Sequence, residues 1–203
     1  MDFQYLPITN YLRRLGEIAL WTEVNAGAGE NTNAISLDDG SKRAVQMILD
    51  AKFGQSKIML VGNGGSAAIV SHMQNDLCDS VKARAMVFNE PPFLTAVSND
   101  HGYATFFEDA VKLWAEPGDV LIAISSSGKS ENILRAVRAA RAKDSEVITL
   151  SGFDEKNPLR SLGDLNFYVP ANEYGIVETA HGILCHYMSD AALAALNVPR
   201  PVA

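Results

Sequence analysis

Two pairs of histidine and carboxylate side chains have a spacing that could support catalysis. His72 and Asp76 lie four residues apart, and Glu178 and His181 lie three apart. On an α-helix, both spacings place the two side chains on one face. Imidazole nitrogens and carboxylate oxygens are ligands of tetrahedral zinc sites, so the four residues could hold one Zn²⁺ together. The alternative is that the histidines pack in the core and the acids are solvated.

Two loops rich in glycine and serine could bind an anion. "GNGGS", residues 62–66, and "SSSGKSEN", residues 125–132, each follow a short apolar run. A helix that begins after such a loop has free backbone N–H groups at its positive end, which favours a phosphate. The serine hydroxyls can donate further hydrogen bonds. For either loop alone, a simple turn is an equally good interpretation.

The elements that must position these groups alternate between strands and helices. Short apolar runs rich in branched residues predict five strands, which are "KIMLV", "ARAMVF", "DVLIAI", "EVITLS" and "NFYVP". Helices are predicted over residues 67–79, 103–114, 131–142 and 176–196. The region between "ARAMVF" and "DVLIAI" has the weakest pattern. This alternation predicts a doubly wound α/β fold, with helices on both faces of a five-stranded parallel sheet.

Strand order decides whether the two loops can act together. In a doubly wound sheet of order 2-1-3-4-5, the first and third strands are neighbours, and ligands bind at their carboxyl ends. "GNGGS" follows the first predicted strand and the serine loop follows the third. We therefore expect both loops to face one crevice.

The N-terminal segment has a different pattern from the rest of the chain. Residues 5–24 carry apolar residues at helical spacing and predict an amphipathic helix. The following "NAGAGENTNAISLDDGS" is rich in Gly, Asn and Ser and predicts a loop before a helix over residues 42–51.

Two nucleotide-binding motifs compete with binding of a small phosphate ester. "GNGGSA" fits the dinucleotide pattern G-x-G-x-x-G/A, with Glu90 as the acid for the ribose. That site does not explain a second loop of consecutive serines, whereas a small phosphate ester needs such hydroxyl groups. "GKS" at residues 128–130 is similar to a P-loop, but Ala123 occupies the required upstream glycine position. A small phosphate ester is therefore the favoured ligand.

Composition limits the classes of partner. The chain has 203 residues, of which 47% are hydrophobic and 20% are charged. This length and this hydrophobic content are enough for one sizeable core. A net charge of -7 disfavours direct binding to nucleic acid. The two cysteines form no C-x-x-C motif, which is typical of a reducing compartment. With no membrane-length apolar run, we expect a soluble cytoplasmic protein without a membrane or nucleic-acid partner.

Several motifs together resemble the sugar isomerase (SIS) domain family, in its phosphoheptose isomerase branch. They are "VGNGGSAAIVSHMQNDL", "AVSNDHGY", "GDVLIAISSSGKSENILRAVRAARAK", "VITLSG" and "ETAHGILCHYMSD". The resemblance implies a flavodoxin-like SIS domain over residues 41–198, after an N-terminal helix and loop over residues 1–40. It also implies a homotetramer that isomerises a small-molecule sugar phosphate. The implied reaction converts sedoheptulose 7-phosphate to D-glycero-D-manno-heptose 7-phosphate or a close aldoheptose 7-phosphate.

The resemblance further implies roles for individual residues. The implied substrate-binding residues are Asn63, Gly64, Ser66, Asp100, Ser125, Ser126, Ser127 and Ser130. The implied ligands of one zinc per subunit are His72, Asp76, Glu178 and His181, of which the last three are also candidate catalytic residues. In the preferred mechanism, zinc polarises the sugar oxygens while Asp76 or Glu178 moves a proton through an enediol. A metal-free version has Asp76 as base and His181 as acid.

The remaining histidines, His101 and His186, are interpreted as structural or substrate-adjacent. His186 lies five residues after His181, which rotates it away from the face of His181.

Asp76, Ser80 and the segment over residues 175–178 depart from the family pattern. Asp76 replaces a common glutamate, Glu178 replaces a glutamine, and Ser80 replaces an arginine. "GIVE", residues 175–178, replaces D-R-I-Q. These changes indicate altered contacts to sugar hydroxyls.

The alternative function is a non-catalytic family member that binds phosphosugars or regulates replication initiation. The retained oxygen and nitrogen donors favour the enzyme.

Overall fold

A sheet of seven strands forms the centre of the computed structural model, which describes residues 7–29 and 31–197. The strands are β1 (Glu23–Ala26), β2 (Asn33–Ile35), β3 (Lys57–Gly62), β4 (Arg84–Val87), β5 (Val120–Ser125), β6 (Glu146–Gly152) and β7 (Leu165–Val169). Their order across the sheet is β2-β1-β7-β6-β5-β3-β4. Residues 5 and 6 of the predicted first helix, residues 1–6 of the predicted N-terminal segment and residue 198 of the predicted SIS domain lie outside the described residues.

Seven α-helices accompany the sheet in the described part of the chain. They are α1 (Ile8–Leu20), α2 (Leu37–Phe53), α3 (Gly65–Asp79), α4 (Pro91–Asp100), α5 (Phe106–Trp114), α6 (Glu131–Arg141) and α7 (Tyr174–Asn197). None of the helices within these residues is both long enough and apolar enough to cross a membrane.

The core lies on both faces of the parallel strands. Every residue of β3, β5 and β7 is buried, as expected for strands that helices cover on two sides. One apolar cluster joins the sheet to α2, α3 and α7, and a second joins its other face to α5 and α6. The predicted α/β class with helices on both faces is confirmed.

The parallel part of the sheet has the predicted order. β4, β3, β5, β6 and β7 are the five predicted strands, and they are arranged as 2-1-3-4-5. Gly62 at the end of β3 pairs in register with Ile124 near the end of β5. This register places the glycine loop and the serine loop next to each other at the carboxyl edge of the sheet.

The N-terminal segment contains two strands, β1 and β2, that were not predicted. β2 lies in the region that was predicted to be a loop. β1 pairs antiparallel with β2 and with β7, so the sheet has seven strands instead of five. The buried Asn166 side chain of β7 donates to the carbonyls of Asn25 and Gly27. These short strands are polar and contain few branched residues, so their pairing depends on β7 and not on their own sequence pattern.

Two helices also differ from the predicted ones. α2 begins at Leu37, earlier than residue 42, because Ser36 caps it by accepting a hydrogen bond from the backbone N–H of Asp39. α4 occupies the region of weakest pattern and begins with a proline, which fits the first turn of a helix. Both starts carry signals that were present in the sequence.

Candidate active site

A polar cavity opens where β3 and β5 end. It has a volume of about 240 Å³ and is lined by Asn63, Gly64, Gly65, Ser66, Ile124, Ser125, Ser126, Ser127, Ser130, Tyr174 and Glu178. Seven of the eight residues predicted to bind substrate are among them. The structure therefore brings the two predicted loops together in one cavity.

The glycine loop directs the start of α3 at this cavity. Gly64 precedes the helix with a φ of 54°, in the left-handed region that glycine tolerates without strain. The helix then begins at Gly65, so its first backbone N–H groups have no partner within the helix. They give the cavity wall a partial positive charge, which favours an anionic group.

The serine loop supplies hydroxyl groups from the other side. Ser130 precedes α6, and its Oγ accepts a hydrogen bond of 3.2 Å from Ser125 Oγ. Ser126 Oγ is buried and has no hydrogen-bond partner among the described residues. A bound phosphate would accept hydrogen bonds from such hydroxyls and from the start of α6.

A neighbouring loop holds the serine loop in place. Gly128 has a φ of 63°, and a side chain at this position would overlap with the amide of Asn157. The backbone carbonyl of Gly128 accepts a hydrogen bond from Leu159. Lys129 Nζ lies 2.8 Å from Asp154 Oδ2. These contacts fix the backbone that presents the serines.

A second group of side chains lies between α3 and α7. Ligand atoms of His72, Asp76 and His186 all lie within 4.8 Å of one another. Asp76 Oδ2 is 3.6 Å from His72 Nε2 and 3.6 Å from His186 Nδ1. Two imidazoles and one carboxylate at these separations are a donor set that suits Zn²⁺.

The structure does not bring His181 to this group. Its side chain is completely buried, and its Nε2 lies 3.1 Å from the carbonyl oxygen of Ser151. Because a carbonyl only accepts, Nε2 carries the proton and donates it. Five residues on a helix correspond to a rotation of about 140°. His186 is the residue that faces α3, although the sequence had indicated His181.

Burial lowers the pKa of the His181 imidazole to about 4 from its ordinary value of 6.5, although the hydrogen bond to Ser151 favours the charged form. Below pH 6.5 the unfolded chain binds a proton at this histidine while the folded chain does not. We expect the free energy of unfolding to fall by about 3 kcal/mol between pH 6.5 and pH 4 from this residue alone.

This expectation can be measured by urea unfolding at several pH values on the wild type and on His181→Gln. Glutamine retains an N–H donor for Ser151 but does not titrate in this range. The variant should therefore lose less stability than the wild type as the pH falls. Parallel pH dependence of the two proteins would contradict the assignment of a buried neutral imidazole.

Glu178 lies between the two groups. It lines the polar cavity, and it also lines an open cleft beside His186 and Gly182. Its carboxylate lies against the backbone of Gly65, where an added methyl group would come within 2.7 Å of Oε1. Glu178 therefore borders both the anion-binding cavity and the cleft that contains His186.

The remaining predicted residue, Asp100, lies apart from the cavity. It is the exposed last residue of α4, and its Oδ1 accepts a hydrogen bond from Asn99. His101, which follows it, pairs with Asp109 at 3.1 Å. Sequence reasoning also missed two residues that bond to Asn63, namely Tyr103 and Asn132.

Comparisons with known proteins agree with these features. A sequence profile described as the SIS domain matches residues 32–152. The phosphoheptose isomerase of Shewanella denitrificans is 30% identical over 165 residues, covering 77% of this chain and 84% of its own length.

Two solved structures have the same fold. The phosphoheptose isomerase of Neisseria gonorrhoeae superposes with a TM-score of 0.76 at 28% identity, covering 91% of this chain and 97% of its own. A phosphoheptose isomerase from Francisella tularensis gives a TM-score of 0.77 at 22% identity, covering 93% of this chain and 96% of its own.

Proposed function

Since the chain belongs to the SIS domain family, we propose that it is a phosphosugar aldose-ketose isomerase, converting sedoheptulose 7-phosphate to D-glycero-D-manno-heptose 7-phosphate. The observation that carries the proposal is the position of Glu178, which lines both the serine-rich cavity and the cleft of His186. A carboxylate is thus available where an anion-binding cavity meets a group of metal-ligating side chains.

The cavity recognises the phosphate end of the sugar. Ser66, Ser125, Ser127 and Ser130 donate hydroxyl hydrogen bonds, and the starts of α3 and α6 add backbone N–H groups. Two helix starts with their partial positive charges favour an anion without any lysine or arginine in the lining. This suits a phosphate ester that must be released after each turnover.

Isomerisation needs one group that moves a proton between adjacent carbons. A base removes the proton from C1 of the ketose, and an enediol forms as the carbonyl oxygen gains a proton. Return of a proton to C2, with loss of the proton from the hydroxyl oxygen on C1, then forms the C1 carbonyl of the aldose. Glu178 is the proposed proton carrier because its carboxylate borders the cavity, and Asp76 is the alternative carrier from the histidine group.

We propose one Zn²⁺ per subunit, with His72, Asp76 and His186 as ligands and His186 in place of His181. The donor chemistry and the mutual distances within 4.8 Å support this set. Glu178, in the same cleft as His186, is a candidate fourth ligand, and it would act as the proton carrier when its carboxylate is not bound to the metal. When bound, the ion would supply a Lewis acid for the carbonyl and hydroxyl oxygens of the sugar.

The proposed active form is a cytoplasmic homotetramer. Ile183 and Tyr187 are large exposed apolar side chains, and both line the cleft beside His186. Apolar surface of this kind supports a contact with another subunit close to the histidine group. The free thiols of Cys78 and Cys185 suit a reducing compartment.

The direct test is turnover of sedoheptulose 7-phosphate by protein of measured metal content, followed by NMR of the aldose product. We expect conversion that is lost on chelation and restored by Zn²⁺. Parallel calorimetry measures binding of the same sugar. Tight binding without turnover by the metal-loaded protein would instead support a non-catalytic phosphosugar-binding function.

A further inference from the structure

We propose that Asn132 and Tyr103 are positioning residues that make Asn63 present one N–H donor, and no acceptor, to the sugar phosphate. This inference rests on the proposed function and adds a specificity device to its cavity. Asn63 follows β3 and lines the cavity. Asn132 is buried in the first turn of α6, and Tyr103 lies in a short 3₁₀ helix after α4.

The three side chains form a closed set of hydrogen bonds. Tyr103 OH donates to Asn63 Oδ1 over 2.6 Å, and Asn132 Nδ2 donates to the same oxygen over 2.9 Å. In return, Asn63 Nδ2 donates to Asn132 Oδ1 over 3.0 Å. The network therefore connects the loop after β3 with the start of α6.

A backbone group sets the orientation of both amides. The backbone N–H of Ile133 is shared between Asn132 Oδ1 and the carbonyl oxygen of Ser130, at 3.0 Å from each. If the Asn132 amide were turned by half a rotation, its NH₂ group would face this N–H, and two donors would oppose each other. Asn132 is only 3% exposed, so water would not relieve the conflict. The orientation of Asn132 then determines that of Asn63.

The hydrogen bonds of Asn63 leave one N–H donor for a ligand. A side-chain amide has two N–H donors and two acceptor lone pairs. Tyr103 and Asn132 occupy both lone pairs of Asn63 Oδ1, and Asn132 takes one of its two N–H groups. Within the described part of the chain, the second N–H of Asn63 is left without a partner.

This polarity matches a phosphosugar. Phosphate oxygens and the carbonyl oxygen of the open-chain sugar are acceptors, so a fixed N–H donor favours them. A freely rotating asparagine would offer its oxygen as readily as its nitrogen, and the oxygen would repel both groups. The network removes the unfavourable orientation before the ligand binds, which is a gain from preorganisation.

A double-mutant cycle tests whether Asn132 acts through Asn63. We measure the calorimetric Kd for sedoheptulose 7-phosphate, together with kcat and KM, for Asn132→Ala, Tyr103→Phe, Asn63→Ala and the two double variants containing Asn63→Ala. Losing one neutral hydrogen bond weakens binding by roughly threefold to tenfold. We expect Asn132→Ala to raise Kd about tenfold and Tyr103→Phe to raise it about threefold.

The expected signature is that both effects disappear in the Asn63→Ala background, because the positioned amide is then absent. Tyr11→Phe, which removes a hydroxyl from α1 outside the network, should leave Kd unchanged. Equal losses in both backgrounds would overturn the inference, since Asn132 and Tyr103 would then act only on the general structure. An unchanged Kd in Asn63→Ala would overturn it as well.

The outcome is separable from that of the proposed function. If the wild-type protein binds the sugar phosphate without turnover, the proposed isomerase activity is refuted, but the double-mutant cycle can still be measured from Kd values. Wild-type turnover with additive losses would refute the network and leave the isomerase intact. If sedoheptulose 7-phosphate does not bind, the same cycle is measured with inorganic phosphate.

Discussion

Replacing His186 by glutamine is expected to abolish binding of the proposed Zn²⁺ and to lower kcat by about a hundredfold or more, while His181→Gln is expected to retain Zn²⁺ binding. Asp76 Oδ2 lies 3.6 Å from His72 Nε2 and 3.6 Å from His186 Nδ1, and the ligand atoms of the three residues all lie within 4.8 Å of one another. His181 is completely buried and donates to Ser151 instead. Loss of a Lewis acid removes several kcal/mol of transition-state stabilisation, and each 1.4 kcal/mol corresponds to a factor of ten.

The two substitutions are chemically identical, so they form a matched pair. Metal content is measured by mass spectrometry after dialysis, and kcat is measured with sedoheptulose 7-phosphate. His72→Gln should behave like His186→Gln, because both side chains are exposed and tolerate replacement. Loss of metal in His181→Gln, with full metal in His186→Gln, would return the ligand set to the one that the sequence indicated.

The histidines show where sequence reasoning on the site reaches its limit. Spacing correctly separates His181 and His186 onto different faces of α7, but it does not say which face meets α3. α7 has buried residues around most of its circumference, including Ile176, Ala180 and Cys185. When nearly all sides of a helix are apolar, periodicity does not identify the side that packs on a particular neighbour.

The loops were easier to predict because their chemistry is local. A strand that ends in glycine and serine before a helix has the same physical meaning wherever it lies in the sheet. Once the strand order is 2-1-3-4-5, the loops after β3 and β5 must be neighbours, and the register of Gly62 with Ile124 agrees. The orientation of the Asn63 amide, in contrast, depends on partners 40 and 69 residues away.

For the fold as well, local features could be predicted from the sequence, and features that depend on distant residues could not. The five parallel strands are short apolar runs, and most of their residues are buried, so all five could be predicted from the sequence. The β1–β2 hairpin could not, because its pairing depends on tertiary contacts such as the buried amide of Asn166. Local sequence patterns predict strands that bury their own apolar residues. They do not predict strands that form only because a neighbouring strand pairs with them.

Gly65→Ala is expected to lower kcat by about a hundredfold without a comparable loss of stability. An added methyl group would overlap with the Glu178 carboxylate, so that carboxylate must move by about 1 Å, and a displacement of this size can cost a hundredfold in rate. Gly65 is not among the glycines with positive φ, so alanine fits the backbone. Only the end of a flexible side chain is displaced, and the melting temperature should change little.

Gly16→Ala is the matched control because Gly16 lies in α1 with nothing within 4 Å of the added methyl group. It should leave kcat unchanged and raise stability by roughly 0.5–1 kcal/mol, as alanine replaces glycine inside a helix. Glu178→Gln should lower kcat at least as much as Gly65→Ala, and the combined variant should be no slower than Glu178→Gln alone. Full activity of Gly65→Ala would mean that the proton carrier is not the Glu178 carboxylate, and Asp76 would take that role.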